Sequence, residues 1–169
     1  SQKENMTILV KNKHTLQIDE FRFNCCIGKN GTTANKIEGD KKTPKGNFEI
    51  EHLYYRKDRK RKPLTLLKCI EIKKNMGWCD DTRFPKKYNK LCKIEKNIKC
   101  EELTRKDSKY DLLIPIKYNF NKPVSGKGSC IFIHLTKDFK PTAGCVALKE
   151  KDFLIMLKLI KRNSKIKII

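Results

Sequence analysis

Cys130-Ile131-Phe132-Ile133-His134, followed after a short basic linker by Pro141-Thr142-Ala143-Gly144-Cys145-Val146-Ala147-Leu148, decides how this chain is read. An apolar, β-branched run that ends on a histidine is a buried strand delivering an imidazole at its exit. The small-residue turn then presents a thiol nearby. A free thiol has a pKa near ~8.5, so little of it is thiolate at neutral pH, and a neighbouring imidazole can take the proton and hold an ion pair. His134 and Cys145 are therefore a candidate base and nucleophile. Gly144 has no side chain to block a substrate and reaches backbone angles closed to other residues, so the amides of Gly144 and Cys145 are candidate oxyanion donors. A strand-end structural histidine and a buried cysteine would look the same in isolation.

Upstream, short apolar runs alternate with turn residues. Thr7-Ile8-Leu9-Val10, Leu16-Gln17-Ile18 and Phe21 to Ile27 read as strands, with Lys11-Asn12-Lys13 as a hairpin turn. From Gly28 to Gly46 the chain is too punctuated by Gly31, Gly39 and Pro44 for an element of its own, and long loops of this sort often serve a site. Phe48 to Tyr54 alternates as one further strand, running through Tyr55 into an exposed basic loop, Arg56-Lys57-Asp58-Arg59-Lys60-Arg61-Lys62. Leu64 to Ile72 suits a strand or a short helix, and Met76-Gly77-Trp78-Cys79 reads as a loop entry. Tyr110 to Asn119 is a strand interrupted at Pro115, which suits an edge or a bulge. After Cys145, Phe153, Leu154, Leu157 and Ile160 fall at helical spacing, and Ile166 to Ile169 closes the chain as a strand. His14 and His52 lack chemical neighbours and read as structural.

The chain has 169 residues, which is the size of one domain with a real core, and 40 basic against 19 acidic residues give it a net charge of +21. That field favours anionic partners, whether nucleic acid, anionic lipid or an acidic cell-wall polymer, and does not choose among them. Eight cysteines show no Cys-x-x-Cys pair and no histidine at zinc-ligand spacing, so no metal is expected. If Cys145 stays reduced an odd number remains, which argues against a complete disulfide framework; Cys92 and Cys100 could still pair across their short loop. No segment approaches the ~20 apolar residues of a membrane span. Met6 to Ile169 forms the expected domain, with Ser1 to Asn5 a flexible tail or a cloning remnant.

Phe132-Ile133-His134 with Pro141 to Leu148 resembles the catalytic signature of the L,D-transpeptidase (YkuD-type) family, in which an apolar strand ending in His precedes a Ser/Thr-x-Gly-Cys turn. Gly28-Lys29-Asn30-Gly31, Glu38-Gly39-Asp40 and Thr43-Pro44-Lys45-Gly46-Asn47-Phe48 resemble the family's glycine-rich entry and its Thr-Pro-x-Gly-x-Phe motif. Trp78, Asp80 and Tyr88-Asn89 are similar to a Trp-x-Asp and Tyr-Asn pattern of a compact branch. Many members carry His where this chain has Ala143, Arg where it has Ala147, and Gly after the catalytic histidine where it has Leu135.

The resemblance implies a mostly β, sandwich- or barrel-like catalytic fold with an inserted loop or helical lobe and a C-terminal helix. It further implies a cofactor-free acyltransferase acting on peptidoglycan stem peptides in the bacterial envelope or periplasm, as a monomer and not on nucleic acid. Cys145, His134 and Gly144 would be catalytic, with Thr142, Ala143, Trp78 and Tyr88, and also Lys140, as substrate contacts. The same dyad could transfer the acyl group to a stem amine, exchange a D-amino acid, or hydrolyse as an L,D-carboxypeptidase. An inactive basic module binding cell wall or nucleic acid is the alternative from another class.

Overall fold

The first strands form because their apolar residues alternate. In β1 (Thr7–Lys11) and β2 (Thr15–Ile18), Ile8, Val10, Leu16 and Ile18 all point inward and are buried. Asn12 and Lys13 take positive φ in the turn between them, and β3 (Phe21–Cys26) completes an antiparallel meander. The structure is a computed structural model that describes residues 6–169, so the expected tail Ser1 to Asn5 lies outside the described residues.

The segment from Gly28 to Gly46 contains one small element after all. Within it, β4 (Thr32–Thr33) and β5 (Thr43–Pro44) pair in parallel. Beyond it, the single strand expected over Phe48 to Tyr54 is two, β6 (Gly46–Glu49) and β7 (Leu53–Tyr55). The remaining elements are β8 (Cys69–Glu71), β9 (Met76–Cys79), β10 (Leu91–Lys93), β11 (Cys100–Glu102), β12 (Leu112–Pro115), β13 (Phe132–Leu135), β14 (Val146–Leu148), α1 (Glu150–Leu159) and β15 (Lys165–Ile168).

Ten strands make one curled sheet in the order β6-β15-β1-β2-β3-β14-β13-β12-β7-β8. The split between β6 and β7 has a topological cause: β6 pairs with β15 near one end of this order and β7 with β12 and β8 at the other. Ile50, between them, bridges Ile116, and Lys117 N–H donates to Glu49 O while Glu51 N–H donates to Pro115 O. One continuous piece of chain thus joins the two ends and closes the curl. Pro115 is the last residue of β12, a strand flanked on both sides, rather than a marker of an edge.

The inserted lobe is a three-stranded antiparallel sheet, β10-β9-β11, and not the loop or helix expected there. Met76–Cys79, read as a loop entry, is its central strand. Gly77 misled because its role is close packing: a β-carbon there would lie 2.9 Å from Cys100 Sγ. All eight cysteines are free thiols. Cys92 and Cys100 sit on the two strands that flank β9, and their thiols interact past Gly77, which has no side chain to separate them, without being bridged. Cys79 is the residue that faces Cys100.

The main core lies between the curled sheet and α1, which buries Phe153, Met156 and Leu157. Leu154, grouped with them by spacing, faces outward. A second cluster joins Trp78, Tyr54, Tyr110 and Phe132 to Cys130 and Cys145, tying the lobe to β13. The basic run after β7 is not wholly solvated. Arg56 is buried and donates to Asp58 and to Arg105 O, and Arg59 binds Asp111 and the carbonyls of Arg105, Lys106 and Asp107. Of Leu64 to Ile72, only Cys69–Glu71 is a strand.

Candidate active site

β13 and β14 run side by side in parallel, with Ile133 opposite Val146 and His134 opposite Ala147. This register sets Cys145, the residue before β14, beside Phe132, and alternation along β13 turns Phe132 and His134 to one face. The Phe132 N–H donates to Cys145 Sγ at 3.4 Å, and the Cys145 thiol donates to Cys130 O at 3.1 Å. The nucleophile and base candidates open onto one cavity of about 470 Å³.

His134 Nδ1 lies 2.8 Å from Leu135 O. A carbonyl only accepts, so Nδ1 carries the proton and Nε2 keeps a lone pair for the cavity. The ring packs edge-on against Tyr110, with centroids 5.4 Å apart. Burial lowers the His134 pKa to about 4 and pushes the Cys145 thiol up to about 12. At neutral pH the resting pair is therefore imidazole and thiol. Burial disfavours the charged form of each, so a thiolate–imidazolium pair is costly before substrate arrives.

The turn before the thiol is locked from inside and from behind. Thr142 Oγ1 accepts the Gly144 N–H at 3.0 Å and donates to Cys145 O at 2.6 Å. Thr142 also exchanges backbone bonds with Ile27 and Lys29, and Gly28 bridges to it. Thr43 Oγ1, held by the Gly28 N–H at 2.9 Å, donates to Gly144 O at 2.8 Å. Gly144 has φ 146°, and a β-carbon on it would stand 2.9 Å from Lys42 O, so only glycine fits. The Gly144 N–H, expected as an oxyanion donor, is already bonded to Thr142. The Cys145 N–H has no partner among the described residues and is the amide left for that work.

Of the expected substrate contacts, Thr142, Ala143 and Lys140 line the cavity, although the Thr142 hydroxyl is engaged within the turn. Trp78 and Tyr88 do not line it. Both are buried: Trp78 Nε1 donates to Asn89 Oδ1 at 2.9 Å and its ring meets Phe132 edge-on, while Tyr88 donates to Glu38 Oε1 at 2.6 Å and accepts the Gly128 N–H. They brace the wall.

The wall itself carries groups that motif reading passed over. Glu38, Asp80 and Glu101 line the cavity together with Lys36, Arg105 and Lys109. Tyr110 donates to Glu101 at 2.9 Å, and the Arg105 guanidinium lies over the Tyr110 ring. Asp80 Oδ1 is buried without a hydrogen-bond partner, and burial raises the Asp80 pKa. Glu38 and Asp80 stood inside quoted motifs; Glu101, Tyr110 and Arg105 had no local signal. No group of three or more His, Cys, Asp or Glu among the described residues could hold a metal ion.

The family model for the L,D-transpeptidase catalytic domain (YkuD) matches residues 1–168. A solved structure of Bd1075 from Bdellovibrio bacteriovorus is similar over 100% of this chain and 49% of its own, at 17% identity and a TM-score of 0.47, so this chain spans about half of that one. No curated protein matches the sequence.

Proposed function

Because the chain belongs to the L,D-transpeptidase catalytic domain family, we propose that it is a cysteine acyltransferase working on the stem peptides of peptidoglycan through an acyl-enzyme at Cys145. The observation that carries this reading is the shared cavity. The Cys145 thiol and His134, whose Nε2 keeps its lone pair, both line it, and the Cys145 N–H has no partner among the described residues.

Cys145 Sγ attacks the carbonyl that joins the third stem residue to a terminal D-amino acid, and its proton passes to His134 Nε2 as the S–C bond forms. Since the resting pair is neutral, this transfer accompanies attack. The developing oxyanion meets the Cys145 N–H. The C–N bond then breaks, and His134 returns the proton to the departing amine. An acceptor, deprotonated by His134, cleaves the thioester and restores the thiol. A stem amine gives a cross-link, a free D-amino acid gives exchange, and water gives carboxypeptidase activity.

The lining suits a peptide that carries amines and carboxylates, with acidic and basic side chains in one cavity. Ala147 replaces the arginine common in the family, while Arg105 and Lys109 bring cations to the same space. On this reading the enzyme works as a monomer in the cell envelope. No helix among the described residues is long and apolar enough to cross a membrane.

Intact-mass measurement with a carbapenem, which mimics the acyl donor, tests the nucleophile: a stoichiometric adduct on the parent and none on Cys145→Ala is expected. An unmodified parent that also leaves defined muropeptides intact would remove the proposal. Product masses from the same muropeptides separate cross-linking, exchange and hydrolysis.

A further inference from the structure

The net charge of +21 does not choose an anionic partner, but the loop after β7 carries a feature that does. Leu64 and Leu66 are 76% and 63% exposed, far more than a leucine serving the core, whereas Leu67 beside them is buried. A lone exposed leucine is ordinary on a protein surface, but Leu64 and Leu66 stand two residues apart and directly follow Pro63, which shares a surface pocket with Leu154, so the apolar groups are gathered in one place.

The loop is seated against α1. The Arg162 Nε donates to Leu66 O, and a shallow pocket lined by Arg61, Lys62, Pro63 and Leu154 joins the start of the loop to the helix. Leu154 is the helix residue that faces outward, with Lys151 and Lys158 on the same face at i−3 and i+4. Three apolar side chains thus stand among cations. Arg61, Lys62, Lys158 and Arg162 have no carboxylate partner among the described residues. Lys60, by contrast, is paired with Glu150.

We propose that this face, the Leu64–Leu66 loop with the outer side of α1, docks the protein on the surface of an anionic phospholipid bilayer. The leucines enter the boundary between headgroups and acyl chains, and the unpaired cations bind the anionic headgroups. Charge complementarity selects an anionic partner, and the exposed leucines select one with an apolar interior. A soluble polyanion such as nucleic acid or an acidic wall polymer would reward the cations alone and leave the leucines in water. The docking is peripheral and does not depend on the chemistry at Cys145.

Co-sedimentation of the full chain with vesicles of neutral phosphatidylcholine, or of phosphatidylcholine mixed with phosphatidylglycerol, tests it, with heparin affinity as the measure for a soluble polyanion. Binding to the mixed vesicles only is expected. The Leu64→Ser/Leu66→Ser variant should lose vesicle affinity by about tenfold or more while keeping its heparin affinity. The Arg61→Ala/Lys62→Ala variant should lose both, by about tenfold for vesicles. All four positions are exposed, and circular dichroism and the melting temperature confirm that the variants fold. Absence of vesicle binding, or a leucine variant that binds vesicles as the parent does, overturns the proposal; the latter result would make the face a polyanion site.

Discussion

On one side of the cavity, backbone bonds between neighbouring strands hold His134 and Cys145. On the other, the wall hangs on buried side chains that reach across the sequence. The strand side is built from ladder register, a local Thr142 turn and the Leu135 carbonyl beside the histidine. The lobe side depends on Asn89, which accepts from Trp78 Nε1 and the Cys130 N–H and donates to the carbonyls of Tyr118 and Asn119. Glu38 plays a similar part, accepting from Tyr88 and Ser129. A ladder tolerates changes of side chain, whereas a buried polar network fails when one member is removed. Substitutions on the two sides should therefore separate: chemistry lost with the fold intact on the strand side, fold lost on the lobe side.

The largest effect tests the strand side. Cys145→Ser keeps the shape and should lower the acylation rate by about 10³-fold or more, with the melting temperature nearly unchanged, because a hydroxyl is a far weaker nucleophile than a thiol. A serine variant that retained rapid acylation would move the chemistry elsewhere in the cavity.

Asn89→Leu tests the lobe side. It strands the Trp78 and Cys130 N–H groups in the second core cluster and should cost about 3 kcal/mol in denaturant unfolding. A loss well under 1 kcal/mol would show that the wall does not rest on this side chain. This residue also shows how far the sequence could be read. The His134 to Cys145 segment announced itself because its signal is local: an apolar run, a small-residue turn and a thiol. The lobe strands stayed hidden because Gly77 imitates a turn and because Asn89 gains its importance only from residues distant in the chain. Glu101 and Arg105 entered the cavity by way of β11 and the loop after it, and no spacing rule could have placed them there. Several strands of the curled sheet were legible one by one, but β14 lay hidden in what read as a turn, β6 and β7 read as a single strand, and the closure was not legible, since Ile50 and Ile116 alternate like any strand residues.

The pH dependence should also differ between the sides. The folded His134 pKa of about 4 lies below the ordinary histidine value of 6.5. Between these values the unfolded chain binds the extra proton, so stability falls as pH drops through that window, by on the order of 3 kcal/mol in total. The raised pKa of Asp80 acts in the opposite sense, since its folded form favours protonation and loses stability as pH rises through its own titration. Chemical denaturation across the window, compared between the parent and His134→Gln, isolates the histidine. The variant should lose the slope, and acylation by the parent should rise as pH climbs through about 4 and then stay level through neutrality.

Thr43→Val is the finest probe because Thr43 joins the entry segment to the turn with a single hydroxyl. Valine keeps the volume but removes the bond to Gly144 O and leaves the Gly28 N–H unpaired. Thr43 is fully buried, so water cannot replace either partner, and a loss of about 2 kcal/mol is expected. The turn would relax around Gly144, whose carbonyl loses that donor, and acylation should fall by about tenfold through misplacement of Cys145. Thr43→Ser restores the hydroxyl and should restore the rate while leaving a smaller stability defect from the missing methyl. If serine failed to rescue the rate, packing and not the hydrogen bond would be what positions the turn, and the strand side would resemble the lobe side after all.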